Sequence, residues 1–571
     1  MSTTTLPVEH IKGEPLTSAQ RDYLEGFFAG LAARGLKFSD VEPAPRPKGT
    51  VAAEDLIPEE RIKRELHPLD AYPQLLENAA QNRPPEKEDI FRFKWNGLFY
   101  LTPNKEAFMA RLRIPGGLVK TYQLREIAAV AKELTTGYVQ ITTRANLQIR
   151  LIQPKDAPEV LRRIQAVGLH TRGAGADNIR NLTANPTAGI DPRELFDVLP
   201  LCQQLAQIII NDRTFYDLPR KFNIAYDGGG LIGTVEDTND IGAKAVKVGE
   251  EVFFRLVLGG ATGHQAFARD LGVLVAPGEL NQVIVALVRV FIANGNRSDR
   301  KRARLKHLLE SWTLEQYLAE TEKVLGRALR RAPLDPAAIH YPGQALPHSH
   351  VGVYPQKQGG LNYVGVVMPV GQITPKQMLR VAELADLYGS GEIRLTVWQN
   401  FIIPNVPDAY VGTVRKALRR MGFDTEQTFL RGGLVACTGN SFCKYAQANT
   451  KGHALALADY LEKKLTLDQP LNIHLTGCPH SCAQHYMGDI GLLATKVRGA
   501  EAYHVFVGGG FGSNQAVGRQ VFNGIPFEEL KQTLERMLKG YLRRREPSET
   551  FQRFSQRHDL NTLQAIFSND E

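Results

Sequence analysis

The sequence predicts an α+β fold built by internal duplication, on two observations. Residues 99–150 and 353–404 overlay at a constant offset of 254, which aligns Pro115 with Pro369, Gly137 with Gly391, Thr142 with Thr396 and Asn146 with Asn400. Within the copies, TYQLREIAAVAKELT and PKQMLRVAELADLYG both place apolar residues at helical spacing, between stretches that read as strands. A helix between strands, met twice, is one α+β unit repeated. The length of 571 residues implies several domains, and 43% hydrophobic with 23% charged residues is an ordinary globular composition. No apolar run reaches the length of a membrane-spanning helix.

The elements follow in chain order. Residues 1–95 hold a helical stretch, AQRDYLEGFFAGLAARG, and a charged segment, NRPPEKED, and are expected to wrap the core. Residues 96–168 form the first repeated unit. Its final stretch alternates polar and apolar residues, so a single strand is expected, with Gln140, Thr142, Arg144, Asn146, Gln148 and Arg150 on one face. The matching face of the second copy carries Arg394, Thr396, Trp398, Asn400 and Ile402. It has lost most of the charge, so the first copy is specialised to grip something anionic and the second is structural. Residues 169–332 form a larger domain, where Cys202 in LFDVLPLCQQLAQIII reads as a small buried apolar residue. Residues 333–355, PLDPAAIHYPGQALPHSHVGVYP, read as a linker in which His340, His348 and His350 are ordinary loop residues. Residues 356–428 are the second repeated unit, 429–530 hold the clustered cysteines, and 531–571 begin with the amphipathic stretch KQTLERMLKGYLRRR. The basic run from Arg297 to Lys306 starts at a turn and enters a helix. It reads as a solvated face, or as a contact for an anionic cofactor or partner.

Four of the five cysteines fall in two tight pairs: Cys437 and Cys443 in ACTGNSFCKYA, and Cys478 and Cys482 in TGCPHSCAQ. Five cysteines in this length do not make a disulfide scaffold, and MSTTTLPVEHIKGE lacks the apolar core of a secretory signal, so a cytoplasmic location is expected. Structural zinc favours cysteines two to four residues apart, so the first pair is unusual for it; a non-catalytic zinc or Fe–S module stays open as an alternative. Four thiolates from two loops suit an iron–sulfur cluster. Gly439, Ser441, Gly477, Ser481 and Ala483 leave room for an inorganic core and for N–H groups aimed at its sulfurs.

The net charge of +9 and pI near 9.1 suit an acidic partner or anionic ligand. No nucleic-acid-binding signature accompanies them, and neither nucleic acid nor membrane is an expected partner. Arg113 in RLRIPGG, Arg180 in NIRNLTANP, and Arg220 and Lys221 in DLPRKFNI sit beside likely turns. Each alone reads as a surface charge. Together with a four-cysteine site they suggest an anionic cofactor and a small anionic substrate in one cleft.

ACTGNSFC with TGCPHSC resembles the siroheme- and [4Fe–4S]-containing sulfite and nitrite reductases, over roughly residues 90–530. The resemblance implies a pseudo-twofold fold of two ferredoxin-like half-domains, at 96–168 and 356–428, and two larger α/β siroheme and cluster domains. It implies that Cys437, Cys443, Cys478 and Cys482 ligate the cluster, and that Cys482 also serves as the axial ligand of siroheme. Gln140, Arg144, Gln148 and Arg220 would then face siroheme, and the glycines of VFVGGGFGSN would pack against it, since they do not fit a dinucleotide fingerprint. The family's anion-binding set falls on Arg113, Arg180, Lys221 and Asn223. The last position is commonly Lys in the sulfite branch and Asn in the nitrite branch. A cation about 4 Å from one unit of charge is worth on the order of 4 kcal/mol at an effective dielectric near 20, so Asn disfavours the sulfite dianion more than the nitrite monoanion. The resemblance therefore points to the assimilatory, ferredoxin-dependent nitrite branch, with six-electron reduction of nitrite to ammonia; reduction of sulfite to sulfide is the alternative. Gly175-Ala176-Asp177 stands where some members carry a cysteine crosslinked to tyrosine, and no such crosslink is expected. The expected donor is a small acidic ferredoxin, and the expected working form is a monomer.

Overall fold

The computed structural model describes residues 10–11 and 14–15, and residues 56–568 apart from 102–105, 136, 138, 334, 344, 347 and 427–428. Met1–Ala52 form one compact unit, in which His10–Ile11 pairs antiparallel with Glu14–Pro15. The helical stretch expected over residues 19–35 lies outside the described residues. Everything below concerns the second unit, Ala53–Glu571.

Three short helices come first: α1 (Pro58–Glu65), α2 (Tyr72–Ala80) and α3 (Lys87–Arg92). Pro58 opens α1 where its missing N–H costs nothing, and Glu59 and Glu60 sit in the positive first turn. After α3 the buried Trp95 packs edge-on against Phe91 and donates its indole N–H to Tyr216 O at 2.8 Å.

The first repeated unit contains β1 (Leu98–Tyr100), β2 (Phe108–Arg111), β3 (Leu118–Lys120), α4 (Thr121–Glu133), β4 (Val139–Ile141), β5 (Leu147–Ile152) and α5 (Ala157–Ala166). The single strand expected over 139–150 is instead a hairpin. Thr142 N–H donates to Asn146 O at 2.9 Å, Ala145 N–H to Thr142 O at 3.1 Å, and Ala145 takes a left-handed φ of 48°. Across this turn Gln140 pairs with Gln148 and Val139 with Ile149, so even-numbered residues still share a face. The alternation therefore continues through the reversal.

The second unit repeats the plan after the larger domain. Its elements are β11 (Gly352–Pro355), β12 (Leu361–Val366), β13 (Gln372–Ile373), α10 (Pro375–Tyr388), β14 (Glu392–Leu395), β15 (Phe401–Pro407) and α11 (Val411–Arg420). The same turn recurs: Thr396 N–H donates to Asn400 O, and Gln399 has φ 61°. The last four residues of the stretch read as a linker are thus the strand β11. Its histidines are also more than loop residues. His348 Nε2 lies 2.9 Å from Asn472 Oδ1, while His350 bonds Gly432 O at 2.8 Å and stacks on Trp398.

The two units exchange strands. The sheet orders are β13-β4-β5-β2-β1 and β11-β12-β15-β14-β3, so each unit's short third strand completes the other's sheet. Lys120 pairs with Glu392, and Gln372 with Gln140. Gly117 permits the crossing: its φ is 76°, and a Cβ there would stand 2.6 Å from Leu395 O. One apolar core joins both units, with Leu124, Ile127 and Val130 of α4 and Met378, Val381 and Ala385 of α10.

Each larger domain is a five-stranded sheet covered by helices. The first has order β10-β9-β8-β7-β6, from β6 (Ile224–Asp227), β7 (Ile241–Val248), β8 (Glu251–Leu258), β9 (Arg269–Val275) and β10 (Arg330–Arg331). Helices α6 (Leu199–Asn211), α7 (Leu280–Asn294) and α9 (Leu314–Leu325) pack on it, and Cys202 lies fully buried in their core. Between α7 and α9, α8 (Leu305–Ser311) follows the basic run. The second sheet has order β16-β17-β18-β19-β20, from β16 (Leu434–Ala436), β17 (Ile473–Thr476), β18 (Ile490–Val497), β19 (Ala500–Val507) and β20 (Arg519–Pro526). Helices α12 (Thr450–Lys464), α13 (Phe527–Arg544), α14 (Phe551–Arg557) and α15 (Leu560–Ser568) cover it. In both sheets the first pairs are parallel and the later ones antiparallel.

The duplication extends into these domains at an offset of 249. Asn223 N–H donates to Asp240 Oδ2 at 2.8 Å, and Asn472 N–H to Asp489 Oδ2 at 2.7 Å. Asp240 is further paired with Arg304 at 2.8 Å; among the described residues Asp489 has no cationic partner. Among the described residues no helix is long and apolar enough to cross a membrane.

Candidate active site

The cysteines sit on the two loops that leave β16 and β17. Cys437 continues β16, its N–H donating to Leu475 O at 3.0 Å. The loop after it is held by Glu501, which accepts from Asn440 Nδ2 at 2.6 Å and from Asn449 N–H at 2.9 Å. Gln447 N–H reaches Gly477 O at 2.8 Å and ties this loop to the other. Gly477 N–H points at Cys437 Sγ, 3.1 Å away, the kind of N–H to sulfur bond that tunes a bound cluster. Gly477 must be glycine, because a Cβ would stand 2.6 Å from that of Ala446.

The four thiols feel one another. Burial pushes Cys478 up to about 12, with Cys482, Cys443 and Cys437 adding to it. Cys482 lies deep yet keeps a solvent-exposed side chain. Desolvation by the surrounding protein and the neighbouring Cys437 and Cys443 raise its pKa, against Lys221 and Arg111. Among the described residues no three His, Cys, Asp or Glu side chains converge closely enough for one metal ion. Thiols that ligate a metal or cluster lose their protons on binding it.

Facing Cys482 is a cluster of cations. Lys221 precedes β6 and makes no hydrogen bond or ion pair with any described residue. Burial pushes it down to about 7, helped by Arg304, Arg180 and Arg220 and opposed by Cys482. Arg180 donates to Ala174 O at 3.2 Å and Ala176 O at 2.7 Å, and its buried Nε has no partner. Its pKa is pushed well down by burial and then by Arg111. Asn223 is anchored through its backbone on Asp240, and its side-chain amide has no partner among the described residues. Arg220 lies 3.5 Å from the fully buried Asp177, which Arg300 grips through two bonds at 2.8 and 2.9 Å.

The structure corrects one expected residue. Arg113 does not enter this cluster: its guanidinium donates to Ile179 O and Arg180 O beneath the 170–180 loop, and its strongest charged neighbour is Tyr216. Arg111, two residues earlier, interacts with Cys482 and Arg180. It lies over the Phe99 ring at 4.5 Å, and its guanidinium donates to Ala174 O at 3.3 Å. Burial brings it down to about 10. In RLR both arginines have the parity of one strand face, and only the loop that crosses Arg113 separates them. That loop also packs Gly175 against Phe99: a Cβ on Gly175 would stand 2.6 Å from Phe99 Cζ.

The polar hairpin divides its work. Arg144 is tied inward, to Asn181 O at 2.8 Å and Asn239 Oδ1 at 2.9 Å. Gln140 and Gln148 both accept from Arg150, which also donates to Thr438 Oγ1 at 2.7 Å and lies over Phe442. They therefore brace the loop of Cys437 and Cys443, with one unpaired buried N–H group left, Gln140 Nε2. Sequence reasoning missed Arg111 and Lys451, and named Arg304 only as one of the basic run 297–306. Lys451 is a buried lysine in the first turn of α12, for which charge pattern alone holds no signal.

Four thiols, the orphaned Arg180 Nε and three cations, Arg111, Arg180 and Lys221, without a carboxylate partner among the described residues define a site for a cluster and an anionic group: an iron–sulfur oxidoreductase centre at the junction of a duplicated chain. Residues 175–329 and 431–568 match the nitrite and sulphite reductase 4Fe-4S domain, and residues 100–167 and 354–421 match the nitrite/sulfite reductase ferredoxin-like half domain. The chain belongs to the nitrite and sulfite reductase family, whose cofactors are a [4Fe–4S] cluster and siroheme. It is 36% identical over 507 residues to a ferredoxin–nitrite reductase of Synechococcus elongatus, covering 86% of this chain and 98% of that protein. It is 34% identical over 505 residues to the chloroplastic ferredoxin–nitrite reductase of Zea mays, covering 83% and 87%. The solved Mycobacterium tuberculosis NirA protein matches with a TM-score of 0.83 at 29% identity, over 89% of this chain and 97% of that one.

Proposed function

We propose that this chain is an assimilatory nitrite reductase that converts nitrite to ammonia with six electrons taken singly from reduced ferredoxin. The observation that carries the substrate is Asn223: a neutral amide with no partner among the described residues, two residues from Lys221, in a site otherwise furnished with cations. Compared with a lysine there, it withholds one positive charge, and a dianion loses more by that than a monoanion. Cys437, Cys443, Cys478 and Cys482 would hold the cluster and Cys482 would also serve the siroheme iron; these groups would supply electron transfer and a metal for the substrate.

The chain's own residues position and protonate. Arg111 and Arg180 hold the substrate oxygens, in place of the pair Arg113 and Arg180 expected from sequence. Lys221 Nζ, whose pKa burial brings down to about 7, holds a proton it can release near neutral pH. Asn223 orients the anion without adding charge. Gln140 and Gln148 act through Arg150 on the cluster loop, and Arg144 and Arg220 line the siroheme side. The basic surface fits an acidic ferredoxin. A cytoplasmic location and a monomer complete the proposal, since the duplication already supplies a pseudo-twofold partner.

The test is kcat/KM for nitrite and for sulfite, on anaerobic holoprotein with a chemically reduced one-electron donor. Nitrite preference with ammonia as product is expected, and Asn223→Lys moves the ratio towards sulfite. An unchanged ratio in that variant sinks the charge argument, and no turnover from protein with an intact siroheme spectrum sinks the enzymatic one.

A further inference from the structure

Lys451 is the second residue of α12 and only 5% exposed. Its ammonium donates to Val370 O and, at 3.3 Å, to Ala436 O, the residue before Cys437. Three effects oppose a cation there. Burial strips its water, the first turn of a helix is the positive end, and no carboxylate lies within ion-pairing distance among the described residues. Glu501, on the neighbouring strand, is occupied by Asn440, Asn449 and His453. The bond to Ala436 O sets the ammonium beside the Cys437 loop, and Arg150, which reaches Thr438 on the same loop, is a second cation. Two carbonyl bonds do not offset these costs for an ammonium. A tetrathiolate cluster, which gains further negative charge on reduction, does.

We propose that Lys451 is a positioning residue for the cluster's charge: a fixed, buried counter-cation that stabilises the reduced cluster and so raises its reduction potential. This rests on the assignment of Cys437, Cys443, Cys478 and Cys482 as cluster ligands. The electron enters from the donor onto the cluster and no proton need move. A unit charge held beside the cluster loop, at an effective dielectric near 20, changes a one-electron equilibrium on the order of tenfold.

The experiment is a redox titration of holoprotein, reading the reduced cluster by electron paramagnetic resonance, with iron and acid-labile sulfide counted in each sample. At the potential where half the parent clusters are reduced, Lys451→Met and Lys451→Gln are expected to show a reduced-to-oxidised ratio roughly tenfold lower. Lys451→Arg, which keeps the charge, is expected to stay near the parent. Failure of both neutral variants to load a cluster that Lys451→Arg does load also supports the role. A fully loaded neutral variant with the parent ratio overturns it, as does a shift or loss equally large in Lys451→Arg. A parent protein without four acid-labile sulfides and, with siroheme's own iron, five irons per chain would instead overturn the ligand assignment.

Discussion

Asp240 and Asp489 occupy equivalent places in the two halves, and their difference can be tested. Asp240 is fully buried and Arg304 only 6% exposed, and the pair is joined at 2.8 and 3.3 Å. Asp240→Asn keeps the shape and the oxygen that receives Asn223 N–H, but leaves the Arg304 charge buried and unpaired. Breaking a buried pair from one side costs about 3–5 kcal/mol, and the retained bond places this change near the lower end. Asp489 is a contrasting control. Burial pushes it up to about 7, opposed only by the Asn472 N–H. The unfolded carboxyl releases its proton near 3.9, so between about pH 4 and pH 7 the folded state holds the extra proton and stability falls as pH rises. Asp489→Asn removes that loss, so the variant should match the parent near pH 4 and exceed it at pH 8. Urea unfolding of holoprotein followed by circular dichroism reads both. If Asp240→Asn stays within about 1 kcal/mol of the parent at pH 8, or Asp489→Asn loses as much as Asp240→Asn, the pairing argument is wrong.

Two further outcomes are expected. Arg111→Ala should lower kcat/KM for nitrite by roughly 100-fold, as loss of a charge-stabilising donor does, with the unfolding midpoint held; Arg113→Ala should chiefly lower the midpoint, because its carbonyl partners lose a buried donor. Equal kinetic loss from both would restore the role first assigned to Arg113. Cys482→Ser should abolish the visible iron–sulfur and siroheme absorption together, whereas two independent losses would mean that no thiolate is shared.

The parts of this fold legible in the sequence were those with a strong period or a rare residue. Helices α4 and α10 declared themselves by spacing, and the four cysteines by their pairing. The hairpin did not, because its left-handed position is held by Ala145 rather than glycine, and parity conceals the reversal. Duplication of the larger domains was expected from the family resemblance and not from any periodicity. It survives in scattered matches such as Asn223 with Asn472 and Asp240 with Asp489, at an offset different from that of the smaller units. The site residues Arg111 and Lys451 depend on which loop or helix end comes to lie beside them, and such tertiary neighbours leave no local trace.

The exchanged strands β3 and β13 tie the history of the chain to its folding. Either half alone would lack the outermost strand of its own sheet and present a bare, hydrogen-bond-hungry edge at β4 or β14. A single-copy ancestor would have met that hazard by trading the strand with a second copy. Fusion would then have turned a trade between molecules into one within a chain. Cut in the segment between the halves, the two pieces should be insoluble apart and should recover one interlocked body when co-expressed.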